Sequence, residues 1–177
     1  MTELLPGSIL TQLGATAWKE KQEALQNIGE WIKQNNETAS EKSEAIIRHI
    51  ASKLKDWKEN NMNVIKSAFE VIQLIANTCN LLKRSATIVL TTQALDKLSD
   101  MKVAASYYDC INALCEVCGP KFVIGQITKN TASVTKPKVL TESCNTIIKL
   151  INEFGAHCIN VRDSIDYAKM CIGNSNA

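Results

Sequence analysis

The chain has 177 residues and carries 20 Lys and Arg against 18 Asp and Glu, a formal charge of +2 that argues against nucleic-acid binding through bulk electrostatics. Hydrophobic residues make up 45% and aromatics only 5%, a balance that suits stacked aliphatic helices in one domain and not a turn-rich β-sandwich. No apolar run approaches the roughly 20 residues that span a bilayer, and the opening Met1 to Gly7 lacks the basic and apolar regions of a secretory signal, so the sequence predicts a soluble, cytoplasmic, all-α protein.

In chain order, a short helix runs from Gly7 to Gly14 with Ile9, Leu10 and Leu13 apolar, and Thr16 is placed to cap a longer one from about Ala17 to Gln34. Leu25, Ile28, Trp31 and Ile32 share a face of that helix, and Trp31 reads as core. After a turn at Asn35, Thr38 and Glu41 have the spacing of a capping box for a helix carrying Ala45, Ile47, Ile50, Ala51 and Leu54. A turn at Lys55-Asp56-Trp57 leads to a helix with Val64, Ile65, Ala68, Phe69, Ile72, Ile75 and Ala76. Ser85 opens a helix with Ile88, Val89, Ala94, Leu95 and Leu98, and the next carries Tyr107, Tyr108, Ile111, Leu114, Cys115 and Cys118 until Pro120 ends it. A helix to about Lys129, a Thr/Ser-rich stretch, and a helix from Pro137 to Phe154 follow, Pro137 suiting a first turn where its missing N–H is no loss. Gly155 stops that helix, and Asn160 is placed to cap a last one holding Val161, Ile165, Ala168 and Met170.

The tripeptide Trp-Lys-Glu occurs twice, at Trp18-Lys19-Glu20 and Trp57-Lys58-Glu59, and further basic turns follow at Lys102 and at Lys136-Pro137-Lys138. The spacing is close to the period of a two-helix repeat, about 40 to 47 residues in HEAT arrays. The expected architecture is therefore a HEAT-repeat α-solenoid of about four and a half helix pairs, spanning residues 7–34, 38–78, 84–118 and 120–155, a half repeat at 158–172, and a disordered tail at 173–177. Stacking would bring one charged turn of each repeat to a common edge. Trp18, Lys19, Lys21, Trp57, Lys58, Lys102, Lys136 and Lys138 are the candidate contact residues on it. Trp57 and Trp18 each have a second reading, as a staple packed against its own repeat, and any lysine taken alone reads as a solvated charge. Lys83-Arg84 is expected on the opposite edge.

Seven cysteines do not make a disulfide or zinc framework, because most sit on apolar helix faces and Cys115-Glu116-Val117-Cys118 is a lone C-x-x-C far from His49 and His157. They read as reduced, buried thiols. No phosphate loop, nucleophile motif or paired carboxylates support catalysis, and neither a metal nor a cofactor is expected. A binding role remains, in which a HEAT-type array contacts another protein.

Leu4-Leu5-Pro6-Gly7 through Trp18-Lys19-Glu20-Lys21, Asp56-Trp57-Lys58-Glu59-Asn60-Asn61, Lys83-Arg84-Ser85-Ala86, Asp100-Met101-Lys102 and Asn152-Glu153-Phe154-Gly155 form an ordered series. Together they resemble a TOG domain of the multi-TOG microtubule polymerases, most closely an internal, third-position TOG, over nearly the whole chain. The resemblance runs out inside the fifth repeat, so the chain reads as truncated there. It implies a flat paddle of HEAT repeats whose intra-repeat turns bind αβ-tubulin or the microtubule plus end, with neighbouring TOG domains as further partners and no nucleic acid or membrane. Residue by residue it implies that Trp18 is the first-turn anchor, and that Lys19, Lys58, Lys102 and Lys138 are basic contacts of the first to fourth turns. The location it implies is the cytoskeleton, at microtubules, spindle or centrosome.

Overall fold

A computed structural model describes residues 4–79 and 84–173; Lys83 and residues 174–177 of the expected tail lie outside them. All the regular structure among these residues is helical. The helices gather into two compact units divided after Ala86.

The first unit contains α1 (Gly7–Leu13), α2 (Trp18–Gln34), α3 (Asn36–Lys53) and α4 (Met62–Thr78). Its core follows from the helical period: Ala24, Leu25, Ile28 and Ile32 of α2 point to one side and are fully buried. Val64, Ile65, Ala68, Phe69, Ile72 and Ile75 of α4 answer them. α2 packs against α1 and α4, and α3 against α4. Each fully buried Leu, Ile or Phe contributes about 1.5 to 3 kcal/mol relative to exposure.

Several local expectations differ from the structure. Ala17, not Thr16, is the N-cap of α2 and makes no side-chain capping bond. α3 begins at Asn36, directly after Asn35, so Thr38 lies inside the helix and the capping box does not form. Ala45 faces solvent, and Ile46 takes its place in the buried stripe. Trp31 is only half-buried. A side-chain cap does form at α4, where Asn61 Oδ1 accepts from the amides of Asn63 and Val64 at 3.0 and 3.4 Å.

The second unit follows from α5 (Arg84–Gln93), which passes into a 3₁₀ turn at Leu95–Ser99, then α6 (Ala104–Cys118), α7 (Pro120–Thr131) and α8 (Pro137–Phe154). A second 3₁₀ turn at Ala156–Cys158 leads to α9 (Val161–Ile172). The expected helix through Leu98 thus ends early. Gly119 and Gly155, at φ 89° and 86°, stop α6 and α8 in the left-handed region that glycine enters freely, and Pro120 opens α7 where it was expected to end α6. α6 packs on α7 and α7 on α8, around Tyr107, Ile111, Leu114, Val123, Ile127 and Leu150. Ile88, Val161 and Ile165, expected on apolar faces, are exposed, as is Ile148 of α8.

Candidate functional site

In the first unit the α1–α2 turn, residues 14–17, ends at Trp18, the first residue of α2. Ala17 is extended, and Trp18 directly after it is 40% exposed. Lys19 is also exposed, with its ammonium 5.7 Å from the Trp18 ring centre. Together they form an apolar plate edged by a cation.

The α3–α4 turn, residues 54–61, is built differently. Lys55, Asp56 and Trp57 all take positive φ, at 55°, 53° and 67°, a conformation costing roughly 1 to 2 kcal/mol for each L-residue. The compensation is Trp57. Its ring is 1% exposed and stacks on Phe69 at 5.2 Å between centroids and 19° between planes. Trp57 therefore wedges the turn from beneath and presents no surface for a contact, which corrects the contact expectation in favour of the packing one. Lys58, next along, is exposed.

Lys21 is corrected in the same way. It is buried, and its ammonium lies 2.5 Å from Glu59 Oε2, with the two side chains 10% and 12% exposed. Glu59 Oε1 also accepts from the amides of Asn60 and Asn61 at 2.9 and 3.3 Å. Burial pushes the Glu59 carboxyl up, but Lys21 and the two amides outweigh it and hold the group below the usual carboxylate range. Lys21 and Glu59 fasten the first turn to the second. Lys21 is thus a strut beneath the surface, leaving Trp18, Lys19 and Lys58 on it.

The second unit repeats the device in an open form. Lys136, just before α8, reaches Asp96 in the first 3₁₀ turn at 2.9 Å, with the side chains 67% and 62% exposed. That pair ties the turn at 95–103 to the turn at 132–136. In the first of these, Asp100 Oδ1 accepts from the Lys102 amide at 3.0 Å and shapes a tip on which Met101 and Lys102 both stand exposed. Lys138, in the first turn of α8, is exposed as well. Sequence reasoning passed over Glu59 and Asp96, the anions that join successive turns, and Met101, which is 88% exposed beside Lys102. The Glu of the second Trp-Lys-Glu was the available signal for Glu59.

No protein-family model matches the chain. Over 166 residues it is 28% identical to Protein MOR1 of Arabidopsis thaliana, covering 94% of this chain and 8% of that protein. Over 153 residues it is 28% identical to Protein mini spindles of Drosophila melanogaster, covering 86% of this chain and 7% of that one. The chain therefore spans only a small part of these relatives' length. Among solved structures, Drosophila melanogaster Mini spindles TOG3 superposes with a TM-score of 0.84 at 24% identity, covering 97% of this chain and 74% of that one. The chain has the HEAT-repeat fold of a TOG domain and is homologous over nearly its whole length to segments of MOR1 and Mini spindles.

Proposed function

We propose that the chain is a tubulin-binding module, one TOG domain built of the helix pairs at residues 7–34, 38–78, 84–118 and 120–155 and a half repeat at 158–172. It would serve in a larger microtubule-associated protein that supports microtubule growth and organisation at the spindle. The observation that carries this reading is the exposed Trp18–Lys19 pair at the first turn, with exposed cations at each of the following turns. An aromatic at a turn tip fills a pocket on a partner, and cations beside it speed encounter with an acidic surface such as that of tubulin and fix the register.

The two inter-turn ion pairs divide the labour. Lys136–Asp96 lies in solvent and contributes about 0 to 1 kcal/mol, so Lys136 can exchange Asp96 for a carboxylate of the partner at little cost. Lys21–Glu59 is shielded and stays intact. The contact residues of the first unit are therefore Trp18, Lys19 and Lys58, with Lys21 and Trp57 supporting from below, and those of the second are Lys102, Lys136 and Lys138, with Met101 added.

Co-elution of the chain with αβ-tubulin on size exclusion, at low and raised salt, tests the reading. Lys102→Glu is expected to weaken binding while leaving the helical circular dichroism spectrum intact, and salt should weaken the wild type, because exposed charges are screened beyond about 8 Å at physiological ionic strength. Equal affinity for wild type and Lys102→Glu would count against the basic turns as the binding surface, and a wild type that does not co-elute with tubulin at either salt would favour a HEAT-type scaffold that does not bind it. Trp18→Ala should reduce affinity by about 2 kcal/mol, roughly thirtyfold, as expected for a hot-spot aromatic. Its folding stability should fall by about 1 kcal/mol or less, since much of the ring is already in water. A denaturant melt of the same variant separates the two effects.

A further inference from the structure

Cys144, within α8, and Cys171, in the last turn of α9, bring their sulfurs to 3.7 Å. Both are only partly covered, whereas Cys110 and Cys115 are sealed in the core. α9 has little else to hold it. Among its residues only Tyr167 is buried, with its hydroxyl accepting from Thr131 of α7 at 2.8 Å, while Val161, Ile165 and Ile172 stand in solvent.

We propose that Cys144 and Cys171 are a thiol-modification site, closing reversibly to a disulfide that fastens α9 to α8 when the chain meets a low-molecular-weight disulfide such as oxidised glutathione. The sulfurs must approach from 3.7 Å to about 2.05 Å, a shift within reach of side-chain rotation and a small movement at the end of α9.

The two thiols are not equivalent. Cys144 donates its thiol hydrogen bond to Cys171, and burial, followed by that bond, pushes the Cys144 thiol up to about 11. In the exchange Cys171 attacks first. Cys171, as thiolate, attacks one sulfur of oxidised glutathione; an S–S bond forms, the glutathione S–S bond breaks, and the departing glutathione thiolate takes up the proton Cys171 gave up. Cys144 then loses its proton and attacks the Cys171 sulfur of this mixed disulfide, expelling the second glutathione, which leaves with that proton. Two protein thiols are oxidised and one glutathione disulfide is reduced to two thiols. Excess reduced glutathione reverses both steps.

The test incubates the reduced, full chain with oxidised glutathione, blocks the remaining thiols, and maps tryptic peptides by mass spectrometry. The expected product links the peptide carrying Cys144 to the peptide carrying Cys171, with the loss of two hydrogens and no retained glutathione. In Cys144→Ser the reaction should stop at a glutathione adduct on Cys171. In Cys171→Ser no cross-link should form, and any reaction at Cys144 should likewise stop at a glutathione adduct. The oxidised wild type should melt about 5 °C or more above the reduced form, and amides of α9 should exchange more slowly. Glutathione retained on both peptides without a cross-link would overturn the proposal. So would a cross-link that leaves the melting temperature unchanged.

Discussion

Trp57→Ala should cost about 3 to 5 kcal/mol of folding stability, the largest effect expected of any single substitution in the turns. The ring is enclosed and stacked on Phe69, so truncation removes its burial and leaves a cavity under a turn already held in the left-handed region at Lys55, Asp56 and Trp57. Relaxation of that turn returns part of the loss, roughly 1 to 2 kcal/mol per residue released, but it does so by abandoning the geometry that sets Lys58 outward and Glu59 inward. Trp57→Phe is the informative control. The indole N–H is buried with no hydrogen-bond partner, so phenylalanine keeps the stacked ring and removes an unsatisfied donor. Its cost should stay below about 1.5 kcal/mol. Denaturant melts of the two variants check this, and a loss near 1 kcal/mol for Trp57→Ala would mean that the ring does not hold the turn.

The contrast with Trp18 shows where the sequence was legible and where it was not. Apolar residues at helical spacing announced α2, α4 and α8, because burying a stripe on a helix leaves a periodic trace that no other arrangement of Leu and Ile leaves so plainly. The repeated Trp-Lys-Glu announced a repeat, yet the two copies sit in different frames. Trp18 is the first residue of α2 and follows an extended Ala17, whereas Trp57 stands in a left-handed turn that continues to the Asn61 cap before α4 begins at Met62. One ring stands partly in solvent and the other in the core, and positive φ at Lys55 and Trp57 has no signature in residue type. The capping sites misled for a related reason. Thr16 and Thr38 have the right chemistry, but α3 follows α2 after a single residue, which leaves no extended position for Thr38 to occupy. The basic turns were visible as charges. Their acidic partners were not, since Lys21 meets Glu59 and Lys136 meets Asp96 only once the turns lie side by side.

Glu59→Gln should destabilise the chain by about 2 to 3 kcal/mol, somewhat below the 3 to 5 kcal/mol of a fully buried pair because both side chains keep a little exposure. The amide oxygen of glutamine can still accept from Asn60 and Asn61, so the substitution isolates the charge and leaves Lys21 shielded without its counter-ion. Adding Lys21→Met should recover most of the loss, because an apolar side chain of similar length needs no partner. The pH dependence follows from the sign of the shift. Glu59 is held below the usual carboxylate range in the folded chain, so its stabilisation is complete above the unfolded-state carboxylate pKa, near 4.3, and disappears as pH falls through the lower folded value. Wild type should therefore lose its advantage over Glu59→Gln on acidification from about pH 5 downward, and the two melting curves should converge. Asp96→Asn, which opens the solvated Lys136 pair, should change stability by about 1 kcal/mol or less. Parallel melts at neutral and acid pH decide the matter: equal losses for Glu59→Gln and Asp96→Asn would show that the first pair of turns is joined no more firmly than the second.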